Sequence, residues 1–234
     1  LLQGSIMAWT ETLFIALLSL FFLQFHSYLR EERLRVLVGA GILVSLACLT
    51  KYAGVALVFS GVITLLLRRD WPINRRLFSV TVFGVISTLP TVFWLVRNLI
   101  LEGTLTGVRE PSHDTLMDNL YLLFDVISRW FLPSVLTPVV RLGITFVFLG
   151  VVVSFVTALI GNSRAGSRIG SLLSVLSFFL AYPVVILYAA TTVRITPLND
   201  RYLSPLVGPL ILLLCVAFDG TRDYPRFSPK LRLM

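Results

Sequence analysis

The residues of this 234-residue chain that could do chemistry are cations set beside aromatics and amides at a few points. Lys51 adjoins Tyr52, Arg97 adjoins Asn98, a polar stretch runs from Arg109 to Asp114, and Arg194-Ile-Thr-Pro-Leu-Asn-Asp-Arg-Tyr ends on Arg201 and Tyr202. Arginine presents a planar fork that grips two phosphate oxygens, and lysine a movable point charge, so cations presented together from different segments suit an anionic headgroup, a phosphate or pyrophosphate. Each group also has a plainer reading. Lys51, Arg97 and Arg141 could snorkel from the ends of apolar segments. Arg201 could form a surface ion pair with Asp200, and Glu11 could be a helix-end carboxylate placed for the helix dipole.

Other chemistries find no residues. His26 and His113 are far apart in the topology derived below, so neither a metal site nor a Ser-His-Asp arrangement is expected. Phosphate-cradling glycine loops, zinc spacings and nucleotide fingerprints are absent from the sequence. Cys48 and Cys215 sit inside apolar runs, where cysteine acts as a small hydrophobe. No metal and no cofactor is expected.

The elements that position the cations are membrane helices. Hydrophobic residues make up 56% of the chain and charged ones 14%, and the mean hydropathy is +0.88, which does not describe a soluble surface. The formal charge of +8 is split into short clusters between apolar runs, not gathered on one face, which argues against a nucleic-acid partner. A helix needs about 20 apolar residues to cross the bilayer. Residues 10–29, 77–101, 139–160, 169–191 and 203–219 meet that length without strand-like alternation. The run 36–67 is too long for one crossing and is interrupted at Thr50, Lys51 and Tyr52. A hairpin of two short spans turning there keeps Arg30, Arg33 and Arg35 on the same side as Arg68, Arg69, Arg75 and Arg76. That is the cytoplasmic side, where Lys and Arg concentrate. The expected fold is an all-α membrane protein of about seven transmembrane helices.

With this orientation Arg164, Arg168, Arg222, Arg226, Lys230 and Arg232 are also inside, and Lys51, Arg97, Arg109, Arg129, Arg141, Arg194 and Arg201 are outside. The outer segment 102–133 opens with turn residues and continues as Leu116, Leu120, Leu123, Ile127 and Trp130 at helical spacing. That pattern predicts an amphipathic helix on the outer membrane surface, or one packed on the bundle. The chain starts at Leu1, already close to an apolar run, and is expected to be the C-terminal part of a larger membrane protein, 1–234 forming a single transmembrane domain.

Three segments then resemble a known family. Thr10-Glu11-Thr12-Leu13-Phe14, the hairpin tip Leu49-Thr50-Lys51-Tyr52-Ala53-Gly54, and Arg201-Tyr202-Leu203-Ser204-Pro205-Leu206 are together similar to motifs of integral-membrane glycosyltransferases of the GT-C fold. These enzymes include protein O-mannosyltransferases and lipid A aminoarabinose transferases, and take a sugar from a polyprenyl-phosphate carrier. Arg97-Asn98 with Gly103-Thr104-Leu105-Thr106-Gly107 resembles a segment of prokaryotic relatives.

The resemblance implies transfer of a sugar from the polyprenyl-phosphate carrier to a lipid, glycan or protein acceptor on the extracytoplasmic face of the cell membrane. It implies a donor-phosphate site on Lys51, Tyr52, Arg109, Arg201 and Tyr202. The family's catalytic carboxylate lies in the first outer loop, so it is expected ahead of residue 1, and Glu102, Glu110, Asp114 and Asp200 are not assigned that role. The competing readings are a transporter or lipid flippase, which would carry ionisable groups near mid-membrane, and a non-catalytic membrane assembly subunit.

Overall fold

A computed structural model describes residues 2–133, 135–162 and 167–222. Among them the chain is all-α, with one isolated antiparallel bridge between Pro111 and Val193. In order come α1 (Leu2–Glu31), α2 (Leu34–Thr50), α3 (Val55–Leu66), α4 (Ile73–Glu102), α5 (Leu116–Arg129), α6 (Pro138–Asn162), α7 (Ser167–Thr192), the single turn α8 (Asp200–Leu203) and α9 (Val207–Arg222). The helices expected over 10–29, 77–101, 139–160 and 169–191 are α1, α4, α6 and α7. The run expected to begin at 203 instead starts with α8 and a 3₁₀ turn, Ser204–Leu206, before α9. Pro205 has no N–H to give to the Arg201 carbonyl four residues back, so α8 cannot run on into α9 as a regular helix.

Thr10–Glu31, Ile73–Glu102 and Gly170–Thr192 are long and apolar enough to cross a membrane, and Leu34–Thr50, Tyr52–Leu66 and Pro138–Ser154 are shorter apolar helices. This is an all-α membrane protein. Its core is aromatic: Phe14, Phe21 and Phe25 of α1 pack with Phe83 of α4 and Phe178 and Tyr182 of α7, all fully buried. The i, i+4 spacing of Phe21 and Phe25 puts both rings on one stripe of α1, against which Phe83 closes at centroid distances of 6.1 and 5.8 Å.

The run 36–67 is a hairpin. α2 stops at Thr50, Lys51 is extended (φ −146°, ψ 131°), and Tyr52–Gly54 forms a 3₁₀ turn before α3. Gly54 is required there by space: a Cβ would lie 2.6 Å from the backbone nitrogen of Cys48. A second close approach, of α3 to α4, leaves no room beyond hydrogen at Gly61, where a Cβ would lie 2.3 Å from the Phe83 ring.

The hairpin returns the chain to the end where α1 finished, and the arginine clusters meet. Glu32 ends α1 in the left-handed region (φ 57°), a conformation costing a non-glycine residue about 1–2 kcal/mol. Its carboxylate is held by Arg75 at 2.6 Å and by the Trp71 indole N–H at 2.9 Å, which offsets that cost. Arg68 and Arg75 lie over the Trp71 ring at 4.6 and 4.5 Å. Arg68 also holds Asp70 at 2.6 Å. Burial works to raise the Asp70 carboxyl, but the hydrogen bonds and the charge of Arg68 outweigh it and keep it below its ordinary range. Arg164, Arg226, Lys230 and Arg232 lie outside the described residues.

At the opposite end, α4 stops at Gly103, left-handed at φ 69°, whose N–H caps the Leu99 carbonyl at 3.0 Å. α5 starts with a capping box between Thr115 and Asp118, and the two hydrogen bonds from Thr115 lower the Asp118 pKa. Leu123, Val126 and Ile127 of α5 are buried, with the helix lying against α6 and α7, while Leu116, expected on that face, is exposed. The polar side of α5 is also tied down. Asp125 accepts from Arg141 of α6 at 2.5 Å and pairs with Arg129 at 3.2 Å, so Arg141 is buried in an ion pair and does not snorkel.

Candidate functional site

The end of the molecule away from the Trp71 cluster gathers three of the five expected site residues, Lys51, Arg201 and Tyr202, around a carboxylate. Glu11 of α1, next to Thr10, accepts at a single oxygen, Oε1, from Lys51 Nζ at 3.1 Å and from Arg201 Nε at 2.5 Å. The three groups come from α1, the hairpin tip and α8, separated in sequence by 40 and 190 residues from Glu11. The Glu11 side chain is 12% exposed, Lys51 19% and Arg201 42%, so the cluster is enclosed on the α1 side and opens at Arg201.

Local structure explains each placement. Lys51 leaves α2 in an extended conformation, which breaks the helical direction and presents its side chain across the hairpin tip to α1. Arg201 is positioned by Asn199, whose side-chain oxygen caps α8 by accepting from the Arg201 N–H at 3.1 Å. Tyr202 follows. Its ring lies under the Lys51 ammonium at 5.8 Å, its carbonyl accepts from the buried Tyr182 hydroxyl at 2.9 Å, and its hydroxyl bonds Thr196 at 2.8 Å. Tyr52 and Arg109 form a neighbouring pair, with the guanidinium 5.8 Å from the ring centre. Thus Lys51, Arg201 and Tyr202 meet directly, while Arg109 joins them through Tyr52.

Arg109 is carried by a strap, residues 103–115, braced by one internal hydrogen bond and fastened to Arg194 by two contacts. Its Nε donates to Thr106 O at 3.1 Å, Arg194 N donates to Glu110 O at 2.9 Å, and the side chains of Arg194 and Glu110 pair at 2.6 Å. Trp130 at the end of α5 donates to Asp200 at 3.0 Å, so Asp200 serves the tryptophan. Asp200 is therefore not the partner that its position beside Arg201 suggested.

With one carboxylate against two cations, the Glu11–Lys51–Arg201 cluster carries a net positive charge, and Arg109 adds another. Such a set attracts an anion carrying one or two charges and holds it with hydrogen bonds of the charge-assisted kind. Among the described residues no group of His, Cys, Asp and Glu could hold a metal ion.

Glu11 is the member of this cluster that sequence reasoning underrated. The available signal was the cost of a carboxylate at the head of an apolar run, which marks it for a role.

Residues 1–94 match a family model described as dolichyl-phosphate-mannose-protein mannosyltransferase. That stretch contains Glu11, Lys51 and Tyr52 and stops before Arg109, Arg201 and Tyr202. No curated protein and no solved structure matches the chain.

Proposed function

We propose that this chain is part of a multi-pass membrane glycosyltransferase that takes a sugar from a polyprenyl-phosphate carrier and passes it to an acceptor on the extracytoplasmic face of the cell membrane. The observation that carries the reading is the convergence of Lys51 and Arg201 on Glu11, in a chain whose first 94 residues are similar to mannosyltransferases that use a dolichyl-phosphate sugar.

Depth supports a lipid-borne substrate. α2 has 17 residues and α3 has 12, lengths of about 26 and 18 Å at the helical rise, against roughly 30 Å of hydrocarbon. With the Trp71 end at the cytoplasmic surface, a hairpin this short sets Lys51 at or below the far headgroup layer. A cation there meets the phosphate of a carrier whose tail remains in the bilayer.

Charge supports the reaction. The sugar-linked carrier phosphate has one negative charge, and breaking the bond to the anomeric carbon adds a second to the leaving phosphate. Lys51 and Arg201, held in place by Glu11 before the substrate arrives, stabilise that growing charge more than they stabilise the bound donor. Glu11 positions the two cations, Tyr202 backs the ammonium, and Arg109 with Tyr52 closes the site from the strap. The acceptor is a lipid, glycan or protein hydroxyl or amine.

Purified full-length protein with Arg201→Ala is expected to bind a polyprenyl-phosphate sugar about tenfold or more weakly, the value of roughly 1.4 kcal/mol. Binding unchanged by that substitution would contradict the role of Arg201.

A further inference from the structure

A groove lies on the other side of α2 from the Glu11 cluster. Leu49 of α2 and Leu89, Pro90, Phe93, Trp94 and Arg97 of α4 line this groove of about 510 Å³. Leu89, Phe93 and Arg97 follow one another at i, i+4 and i+8, so they form one stripe along α4, about 12 Å from first to last. Pro90 cannot donate to the preceding turn, and its ring disturbs the helix at the foot of the stripe. The groove is therefore apolar for two turns and topped by a guanidinium.

Some cations are held by carboxylates and others, such as Arg76 and Arg109, by backbone carbonyls. Lys51, Arg68, Arg75, Arg129, Arg141, Arg194 and Arg201 each pair with an Asp or Glu. Arg97 pairs with no carboxylate among the described residues. It stacks over Trp94 at 5.3 Å, and its one hydrogen bond, at 3.4 Å, is to the neighbouring Asn98. The lining side chains are open to the surroundings: Leu49, Leu89, Trp94 and Phe93 are 45–65% exposed, and α4 as a whole is the least buried of the long apolar helices. A tryptophan beside an arginine at the end of a lipid-facing stripe is the arrangement that fits the headgroup boundary.

We propose that this groove binds an anionic phospholipid of the surrounding bilayer, its phosphate on Arg97 and one acyl chain along Leu89, Phe93 and Trp94. The planar fork of Arg97 suits two phosphate oxygens, and the aliphatic and aromatic floor suits a single chain. The site is separate from the Glu11 cluster. Lys51 is engaged toward α1, whereas the groove lies between α2 and α4. The proposal stands without the glycosyltransferase reading.

Trp94 is itself the probe. Purified protein is placed in phosphatidylcholine vesicles that contain brominated phosphatidylglycerol, or the same fraction of brominated phosphatidylcholine. The fluorescence difference between the wild type and Trp94→Phe isolates the Trp94 signal. Phosphatidylglycerol should quench Trp94 with about fivefold preference over phosphatidylcholine, the worth of one cation near an anionic lipid. Arg97→Gln should abolish the preference and Arg97→Lys should keep part of it, while Arg201→Ala should leave it intact. Equal quenching by the two lipids in the wild type would overturn the proposal, as would a preference that survives Arg97→Gln or disappears in Arg201→Ala. Relief of the quenching by polyprenyl phosphate would also overturn it, by giving the groove to the carrier.

Discussion

Glu11 shows how a single carboxylate can set the geometry of a cationic site. It is nearly enclosed, and both of its partners donate to the same oxygen, so removing its charge takes from Lys51 and Arg201 the counter-ion they share. Glu11→Gln is expected to lower stability by about 1–3 kcal/mol, the cost of leaving charged hydrogen-bonding groups poorly paired. In a double-mutant cycle with Arg201→Gln the two losses should not add, with a coupling of about 1 kcal/mol or more. Thermal unfolding in detergent would measure it, and strictly additive losses would show that the contact does not couple the two elements. At this scale the sequence disclosed Lys51 and Arg201 as candidates, because cations at the ends of apolar runs are costly and therefore informative. It did not disclose their link to Glu11. A carboxylate at a helix end reads the same whether it serves the dipole or a partner 190 residues away. Arg141 and Arg201 illustrate the same blindness: Arg141 found Asp125, and the carboxylate adjoining Arg201 went to Trp130.

Among the elements, the hairpin of α2 and α3 bears most on the site, because Lys51 sits where it turns. The turn depends on Gly54 packing its Cα against the backbone of Cys48, with no space for a methyl group. Gly54→Ala must push the tip away from α2 and shift Lys51 relative to Glu11. We expect a loss of about 1–3 kcal/mol, typical of forced overpacking, together with weaker donor binding. Gly84→Ala in α4 is the matched control, since a Cβ there meets nothing within 4 Å and alanine is the better helix former. Equal thermal stability for the two variants would show that the tip relaxes without strain. The hairpin was legible in the sequence through charge: a straight run of 36–67 would have parted two arginine clusters that a turn at its middle brings together. The structure closes them through Arg75 and Glu32 and stacks both Arg68 and Arg75 on Trp71, a tryptophan that no sequence pattern had marked. The helical face of α5 was legible only in part. Leu123 and Ile127 are buried as their spacing predicts, whereas Leu116 at the capped end lies beyond the reach of α6 and α7.

At the scale of the whole molecule, the chain is a bundle with two unlike poles. One is locked by Glu32, Asp70, Trp71 and the arginines around them. The other holds the Glu11 cluster, the strap carrying Arg109 and the helix α5. The all-α membrane fold was readable from composition and length because a bilayer forces backbone groups into helices. The contents of the second pole were not, because they depend on loop closures between segments distant in sequence, such as Glu110 with Arg194. Donor binding at the Glu11 cluster requires that pole to face away from the cytoplasm. Single cysteines at Tyr52, Arg109 and Thr196, and at Arg69 and Arg76 for comparison, can be introduced into protein whose Cys48 and Cys215 are replaced, and treated in intact cells with a membrane-impermeant maleimide. We predict labelling at the first three positions from outside, and at Arg69 and Arg76 only after the membrane is opened. Labelling of positions 52, 109 and 196 from opposite sides, or only after permeabilisation, would contradict the account.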